Sequence, residues 1–323
     1  MLFADDSLRV LVLALVLDAA VGDPDWLWRR MPHPVVVFGW AIDQLDHALN
    51  NKSWSEARRR AAGVFAISLL VVGSAALGWL VARVLLAVPF GWILEAVVAS
   101  VLIAQRSLYE HVARVRAAFA GGGLDEARRA VSVIVGRDPK ALDEAGVCRA
   151  AIETTAENLS DGVLAPAFWF ALLGLPGLVA YKAINTADSM IGHLTERHGA
   201  FGWATARLDD LVNLMPARLS ALLLAVVAPL TGGSVVAAVR VALRDAQKHQ
   251  SPNAGWPEST MAAALGVALA GPRIYPGRVV DDPFVNASGR QDATPNDIGR
   301  ALKLLIAACA LEAALYAALA LLV

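Results

Sequence analysis

The chain has 323 residues, 57% of them hydrophobic and only 18% charged, with a formal net charge of -1. That mixture is too apolar for a soluble domain of this length and lacks the basic excess of a nucleic-acid binder, so it points to a membrane protein. The two cysteines, Cys148 and Cys309, lie far apart without ligand spacing and support neither a disulfide framework nor a zinc site; both read as packing residues.

Met1 to Val21 has the outline of a signal peptide, but Asp5 and Asp6 stand where a basic cluster belongs and no small-residue cleavage site follows, so the segment is expected to be retained. Leu8 to Val21 is short against the ~20 apolar residues of a span. Asp18 stands near its end, either as a cap or with a role of its own, before Gly22-Asp23-Pro24. The loop from Asp25 to Arg60 holds Pro32-His33-Pro34, an amphipathic piece from Val35 to Leu49 and the run Arg58-Arg59-Arg60; by the positive-inside rule it is cytoplasmic. Ala61 to Val88 is the clearest span, and Pro89-Phe90-Gly91 turns it into a second, Trp92 to Ala104. Arg83 and Glu95 sit at comparable depths beside that turn, which predicts an ion pair.

From Gln105 to Asp161 the chain is soluble in character, with Arg106, Arg114, Arg116, Arg128, Arg129, Arg137 and Arg149, and is expected to be cytoplasmic and helical. Gly121-Gly122-Gly123 before Leu124-Asp125-Glu126 predicts a turn feeding a helix N-terminus, where acids suit the dipole; the Lys-Ser/Thr of a P-loop is missing. Leu164 to Ala180 is interrupted by Gly174-Leu175-Pro176-Gly177, leaving two arms each too short to cross a bilayer. A re-entrant hairpin follows, tolerated where protein or a water-filled cavity covers the broken backbone. Leu219 to Leu230, Thr231-Gly232-Gly233 and Ser234 to Leu243 read the same way, although ordinary spans at both places are the alternative. Met261 to Ala270 is a small-residue helix, Gly271 to Asn296 a loop, and Ala301 to Val323 a last span containing Glu312. The expected fold is all-α: a polytopic integral membrane helical bundle with re-entrant hairpins, one membrane-embedded domain over 1–323 with a cytoplasmic helical segment at about 105–161.

Three polar blocks stand out between Ile152 and Leu219. Glu153, Glu157 and Asp161 recur at i, i+4 and i+8, so a helix would stack them on one face. Tyr181 to His193 mixes Asn185, Asp188 and Ser189, and Ala206 to Leu219 sets Asp209-Asp210 and Asn213 between Arg207 and Arg218. Carboxylates about 6 Å apart repel one another unless a cation, a proton or an arginine compensates. Hard oxygen donors (Glu153, Glu157, Asp161, Asp188, Asp209 and Asp210, with Asn158, Asn185 and Asn213) suit Mg²⁺ bound together with substrate phosphates. His33, His193, His198 and His249 lack the paired spacing of a zinc site. Further on, Arg244 and Lys248 share a helix face ahead of His249 and the turn Ser251-Pro252-Asn253-Ala254-Gly255, a combination suited to a phosphate or carboxylate. From the residues alone, an enzyme and a transporter both remain open.

The same residues carry a resemblance. Leu17-Asp18, Gly22-Asp23-Pro24, Pro32-His33-Pro34, Glu153 to Trp169, Asn185-Thr186-Ala187-Asp188-Ser189-Met190, Phe201-Gly202-Trp203, Ala206 to Asp210, Pro216 to Leu219 and Arg244-Asp245 through Gly255 resemble, in order and over nearly the whole length, the adenosylcobinamide-phosphate synthases of cobalamin biosynthesis, the CobD/CbiB family. Thr154, where that family more often has serine, and Ala187, where it usually has leucine, depart from the pattern without touching a charge. The resemblance implies a multi-pass enzyme of the bacterial inner membrane with a cytoplasmic active site. Such an enzyme uses ATP and Mg²⁺ to join the propionate carboxylate of adenosylcobyric acid, its corrinoid substrate, to (R)-1-amino-2-propanol O-2-phosphate or a related amino alcohol. Its partners would be the bilayer and other membrane enzymes of late cobalamin assembly, with no nucleic acid. The sequence has no nucleotide-binding motif, so ATP rests on the resemblance and on the need to activate a carboxylate, usually as an acyl phosphate. On that basis Glu153, Glu157, Asp188 and Asp210 are the expected catalytic acids, and Glu157, Asp161, Asp209 and Asp210 the expected Mg²⁺ ligands. Asn158, Asn185, Ser189, Arg207, Asn213, Arg218, Arg244, Lys248, His249, Ser251 and Asn253 are the expected substrate contacts, while Trp169, Trp203 and Trp256 suit either the corrin face or a membrane-interface belt. The competing expectation is a non-catalytic sensor or transporter on the same scaffold, like the distantly similar AmpE-type proteins.

Overall fold

The computed structural model describes residues 5–135, 140, 142–275, 278–280 and 282–322; Arg137, Met1–Ala4 and Val323 lie outside the described residues. The helices in chain order are α1 (Asp5–Ala20), α2 (Asp25–Trp28), α3 (Pro34–Leu49), α4 (Glu56–Leu86), α5 (Gly91–Ser100), α6 (Gln105–Val131), α7 (Glu144–Asn158), α8 (Ala165–Ile191), α9 (Trp203–Val212), α10 (Leu214–Val227), α11 (Val235–Asp245), α12 (Gly255–Leu265) and α13 (Pro295–Leu322). A π-helical turn, Leu159–Leu164, joins α7 to α8. The strands among the described residues are two small antiparallel pairs, β1 (Leu269–Ala270) with β4 (Phe284–Val285) and β2 (Arg273–Tyr275) with β3 (Arg278–Val280).

This is an all-α polytopic membrane bundle. Among the described residues, five helical stretches are long and apolar enough to cross a bilayer: Glu56–Leu86, Gly91–Val131, Glu144–Ile191, Leu214–Thr231 and Pro295–Leu322. The expected second span at Trp92 to Ala104 opens the stretch Gly91–Val131, of which the ten-residue α5 is the first helix. Among the described residues, no ion pair joins Arg83 to Glu95 as the sequence suggested. The chain divides into two compact units: residues 1–104, 165–213 and 315–323, and residues 105–164 and 214–314. The second unit therefore opens with the segment expected to be soluble.

In the first unit α4 packs along α8. Its buried stripe of Gly63, Ala66, Ile67, Leu70, Ser74 and Gly78 is mostly small, which lets backbones approach closely where lipid supplies no hydrophobic drive. A methyl on Gly78 would lie 2.8 Å from Pro176 Cα, and one on Gly63 would lie 1.9 Å from Phe201 O. The opposite face exposes Phe65, Leu69, Val72, Leu80 and Val84, as a lipid-facing surface should. Ser55 caps α4, and His33, a structural histidine, caps α3 through Nδ1 accepting from Val35 N at 3.2 Å.

The break predicted in α8 is there. Gly174 takes φ +65°, which only glycine adopts without strain. A methyl on Gly177 would sit 2.5 Å from Trp169 O, although eight residues span about 12 Å of an unbroken helix, so the two arms fold back on each other. In the second unit Gly123, φ +69°, splits α6 at the triple glycine, and Gly232, φ +81°, turns α10 into the returning α11. α12 packs on both α10 and α11, and Arg300 closes their far end by donating to Leu265 O and Thr231 O at 2.8 and 2.7 Å. Cys148 and Cys309 are buried and unbridged.

Candidate active site

In the first unit the last turns of α8 present Asn185, Asp188 and Ser189, and the loop 192–202 carries the chain into α9 with Arg207, Asp209 and Asp210 and its cap Asn213. Glycine shapes both ends of that loop. A methyl on Gly202 would strike Ile191 O at 1.7 Å, and one on Gly192 would lie 2.0 Å from Asp188 Oδ1. The loop is anchored from outside by Asp46 of α3, 5% exposed, which accepts from Arg197 Nε at 2.8 Å, from Arg197 Nη2 at 2.5 Å and from Asn50 Nδ2 at 2.7 Å. Asn50 Nδ2 also reaches Arg197 O at 3.0 Å, and Arg59 holds Asn50 Oδ1 at 2.9 Å. Burial works to raise the Asp46 carboxyl, but the hydrogen bonds from Asn50 and Arg197 and the Arg197 charge prevail and hold it below the usual range.

Asp188, Asp209 and Asp210 feel one another. Burial first, and the Asp188 charge next, push the Asp209 carboxyl up to about 7; the amides of Asn213 and Asn185 oppose this only in part. Asn213 Nδ2 donates to Asp209 Oδ2 at 3.0 Å, while Oδ1 is buried without a hydrogen-bond partner. Burial also raises Asp210, against the pull of Arg207, whose Nη1 lies 3.3 Å from Oδ2. Ser189 Oγ donates to Asn185 O at 3.0 Å.

The second unit holds the remaining expected residues. Glu153 is buried at 4% exposure and accepts from Ala270 N at 2.9 Å, where Ala270 has φ +57°. That bond helps to hold a backbone conformation rarely adopted by a non-glycine residue. Glu157 and Asn158 are exposed and Asp161 half-buried on the π turn, a feature that occurs often at functional sites. Arg218 Nη1 donates to Asn253 Oδ1 at 3.1 Å and to Leu214 O at 2.8 Å, and its guanidinium stacks 4.8 Å from the Trp256 ring. In the 251–255 turn, Ser251 Oγ takes both Asn253 N and Ala254 N at 3.2 Å, so two backbone donors expected for an anion are spent inside the turn. His249 Nδ1 accepts from Ser251 N at 3.0 Å, and its other nitrogen lies 3.7 Å from Glu258. Arg244 and Lys248 both hold the fully buried Asp245.

Among the described residues, no group of three or more His, Cys, Asp or Glu side chains is spaced to hold a metal ion. Sequence reasoning missed the Asp46 anchor, the buried Lys182, Gly192 and the role of Asp245 as partner to two cations. Only Asp46 and Asn50, at i and i+4, carried a visible signal.

Comparison with known proteins decides the kinship. The profile of the CobD/Cbib protein family matches residues 11–305. The chain is 54% identical over 320 residues to a cobalamin biosynthesis protein CobD of a Sinorhizobium species, covering 98% of this chain and 99% of the relative. The chain belongs to the CobD/Cbib family. Relatives of the same name from Brucella anthropi and Rhodobacter capsulatus are 50% and 47% identical, covering 92% and 91% of each chain. No solved structure matches. Family membership over nearly the whole length gives this membrane protein a role in cobalamin biosynthesis.

Proposed function

We propose that the protein is an ATP-dependent amide ligase of the bacterial inner membrane that joins the propionate carboxylate of adenosylcobyric acid to (R)-1-amino-2-propanol O-2-phosphate or a related amino alcohol. The observation that supports this reading beyond kinship is the Asp188, Asp209 and Asp210 cluster with its orphaned, buried Asp209 Oδ1. A buried carboxylate oxygen without a partner is costly, so it awaits a proton, a cation or a donor from substrate. Hard oxygen donors on one or two carboxylates fit Mg²⁺, which takes its remaining ligands from water and substrate phosphates and needs no all-protein cage. Asp209 and Asp210 would hold it in this unit, and Glu157 and Asp161 would offer oxygen ligands of their own in the other. When bound, the ion would neutralise charge on the transferring phosphoryl group.

A carboxylate and an amine do not condense near neutral pH. Transfer of the ATP γ-phosphoryl to the propionate oxygen would give an acyl phosphate and ADP; the amine nitrogen would then attack the acyl carbon, expelling phosphate and losing a proton. The chain's task is largely to position the reactants. Arg207, Arg218, Arg244 and Lys248 are suited to phosphate oxygens, and the exposed side chains of Arg244 and Arg207 keep donors free for them. Asn158, Asn185, Ser189, Asn213, His249, Ser251 and Asn253 would orient polar groups of the substrates, and Glu153 would act by shaping the backbone near α7. Because its substrates are cytosolic, the proposed active site is assigned to the cytoplasmic face.

The test is reconstitution: purified protein in detergent with the corrinoid acid, amino alcohol phosphate, ATP and Mg²⁺, with product followed by mass. Appearance of the amide with stoichiometric ADP is expected. No amide under any nucleotide, together with a disruptant that grows on cobyric acid, would assign the family role in this organism to another step.

A further inference from the structure

The end of α9 is gripped by both arms of α8. On the first arm the Trp169 indole donates to Val212 O at 3.1 Å; on the second the Tyr181 hydroxyl donates to Asn213 Oδ1 at 2.9 Å. Asn213 then passes its own Nδ2 to Asp209 Oδ2 at 3.0 Å. Tyr181 is 2% exposed and Asn213 1%, so water cannot substitute for either partner. The direction of the chain of bonds follows from its end: Asp209 Oδ2 accepts the Asn213 NH₂, so the amide carbonyl is left for the phenol to donate to. A flipped amide would set carbonyl against carboxylate.

We propose that Tyr181 is a positioning residue of the acid cluster: by fixing the Asn213 amide it fixes which way the Asp209 carboxylate turns its unpartnered oxygen. The role rests on the amide-ligase reading above. Trp169 supports it from the other arm by fixing the backbone one residue earlier, and the fold-back at Gly174 is what brings the two arms to the same helix end. The tryptophan is thereby engaged at its polar edge whatever its ring faces. Networks of this kind act as a unit, so severing one link should make the next irrelevant.

Tyr181→Phe keeps the ring and removes the donor. Purified full-length Tyr181→Phe, Asn213→Ala and the double variant are compared with wild type for kcat, KM and the rise in melting midpoint on adding Mg²⁺ alone. A kcat loss of about tenfold in Tyr181→Phe is expected, with KM for the corrinoid unchanged, a melting midpoint without Mg²⁺ close to wild type and a smaller Mg²⁺-dependent rise. The double variant should be no slower than Asn213→Ala. Wild-type kcat and cation response in Tyr181→Phe, or losses that simply add in the double variant, would overturn the positioning role while leaving the ligase standing. Should Tyr181→Phe fail to fold, wild-type kcat in Asn213→Ala overturns the role as well. A wild type that makes no amide overturns the ligase reading, and the Mg²⁺ response then decides the Tyr181 link by itself; absence of that response in wild type sinks both.

Discussion

Arg244 grips its own neighbour Asp245, its Nε and Nη2 donating to the two carboxylate oxygens at 2.8 and 2.7 Å. Lys248 Nζ closes on the same carboxylate at 2.7 Å, and Asn286 N donates to it at 2.8 Å. Two cations that the sequence offers to a phosphate are thus already committed to a fully buried acid, leaving one net positive charge at the surface.

That geometry sets a pH dependence. The hydrogen bond from Arg244 above all, with Lys248 and Asn286 against the cost of burial, holds the Asp245 carboxyl well below its ordinary range. A depressed acid contributes stability above its unfolded pKa of ~4 and loses it as the pH falls below that value. The melting midpoint of wild type should fall along this acid limb, and Asp245→Asn should show a flatter limb. Parallel limbs in the two proteins would mean that Asp245 is not what the acid titrates.

If the free edge of Arg244 reads the amine's phosphate, Arg244→Ala should raise KM for the amino alcohol phosphate about tenfold, since each charge-assisted bond is strong, with KM for the corrinoid unchanged. The assay compares phosphorylated and unphosphorylated amino alcohol on both proteins. An undiminished preference for the phosphorylated amine would transfer the role to Arg218, which lies against Asn253 and Trp256.

Asp210→Asn and Glu157→Gln are each expected to lower turnover by at least about a hundredfold with folded protein recovered, through lost charge compensation and misplaced phosphates. Glu126→Gln should be silent, since Glu126 sits on an exposed helix with Arg129. Single-turnover assays on size-exclusion-purified protein check all three.

Gly192→Ala probes Asp188 without touching a charge. The new methyl would lie 2.0 Å from Asp188 Oδ1, whose side chain can swing away, and 2.7 Å from Asp188 O, which moves only with the helix end. Turnover is therefore expected to fall about tenfold or more, with a lowered melting midpoint. Equal activity would show that the Asp188 orientation is irrelevant.

Topology is open to cysteine labelling because both native cysteines are buried and should give no background. Ser189→Cys and Gln247→Cys, at exposed positions, should react with an impermeant maleimide only after the cytoplasmic face is opened. Labelling of intact cells from the periplasmic side would require that the hairpins at Gly174 and Gly232 cross the membrane instead of returning.

Much of the architecture was legible in the chain. Apolar runs declare spans because a bilayer accepts backbone only when its own hydrogen bonds are closed, and Gly174, Gly123 and Gly232 declared the breaks because few other residues tolerate positive φ. The three acid blocks and the family kinship were also visible, since both are properties of residue order. What order could not reveal was partnership. Asp46 meets Arg197 across 151 positions, Glu153 meets Ala270 across 117, and Tyr181 meets Asn213 across 32. Arg83 and Glu95, matched in depth, do not pair, while Arg244 turns to the residue next to it. A buried carboxylate or amide takes whichever donor the packed backbone delivers within about 3 Å, and that is decided by how α3, α4, α8 and α9 close together in space.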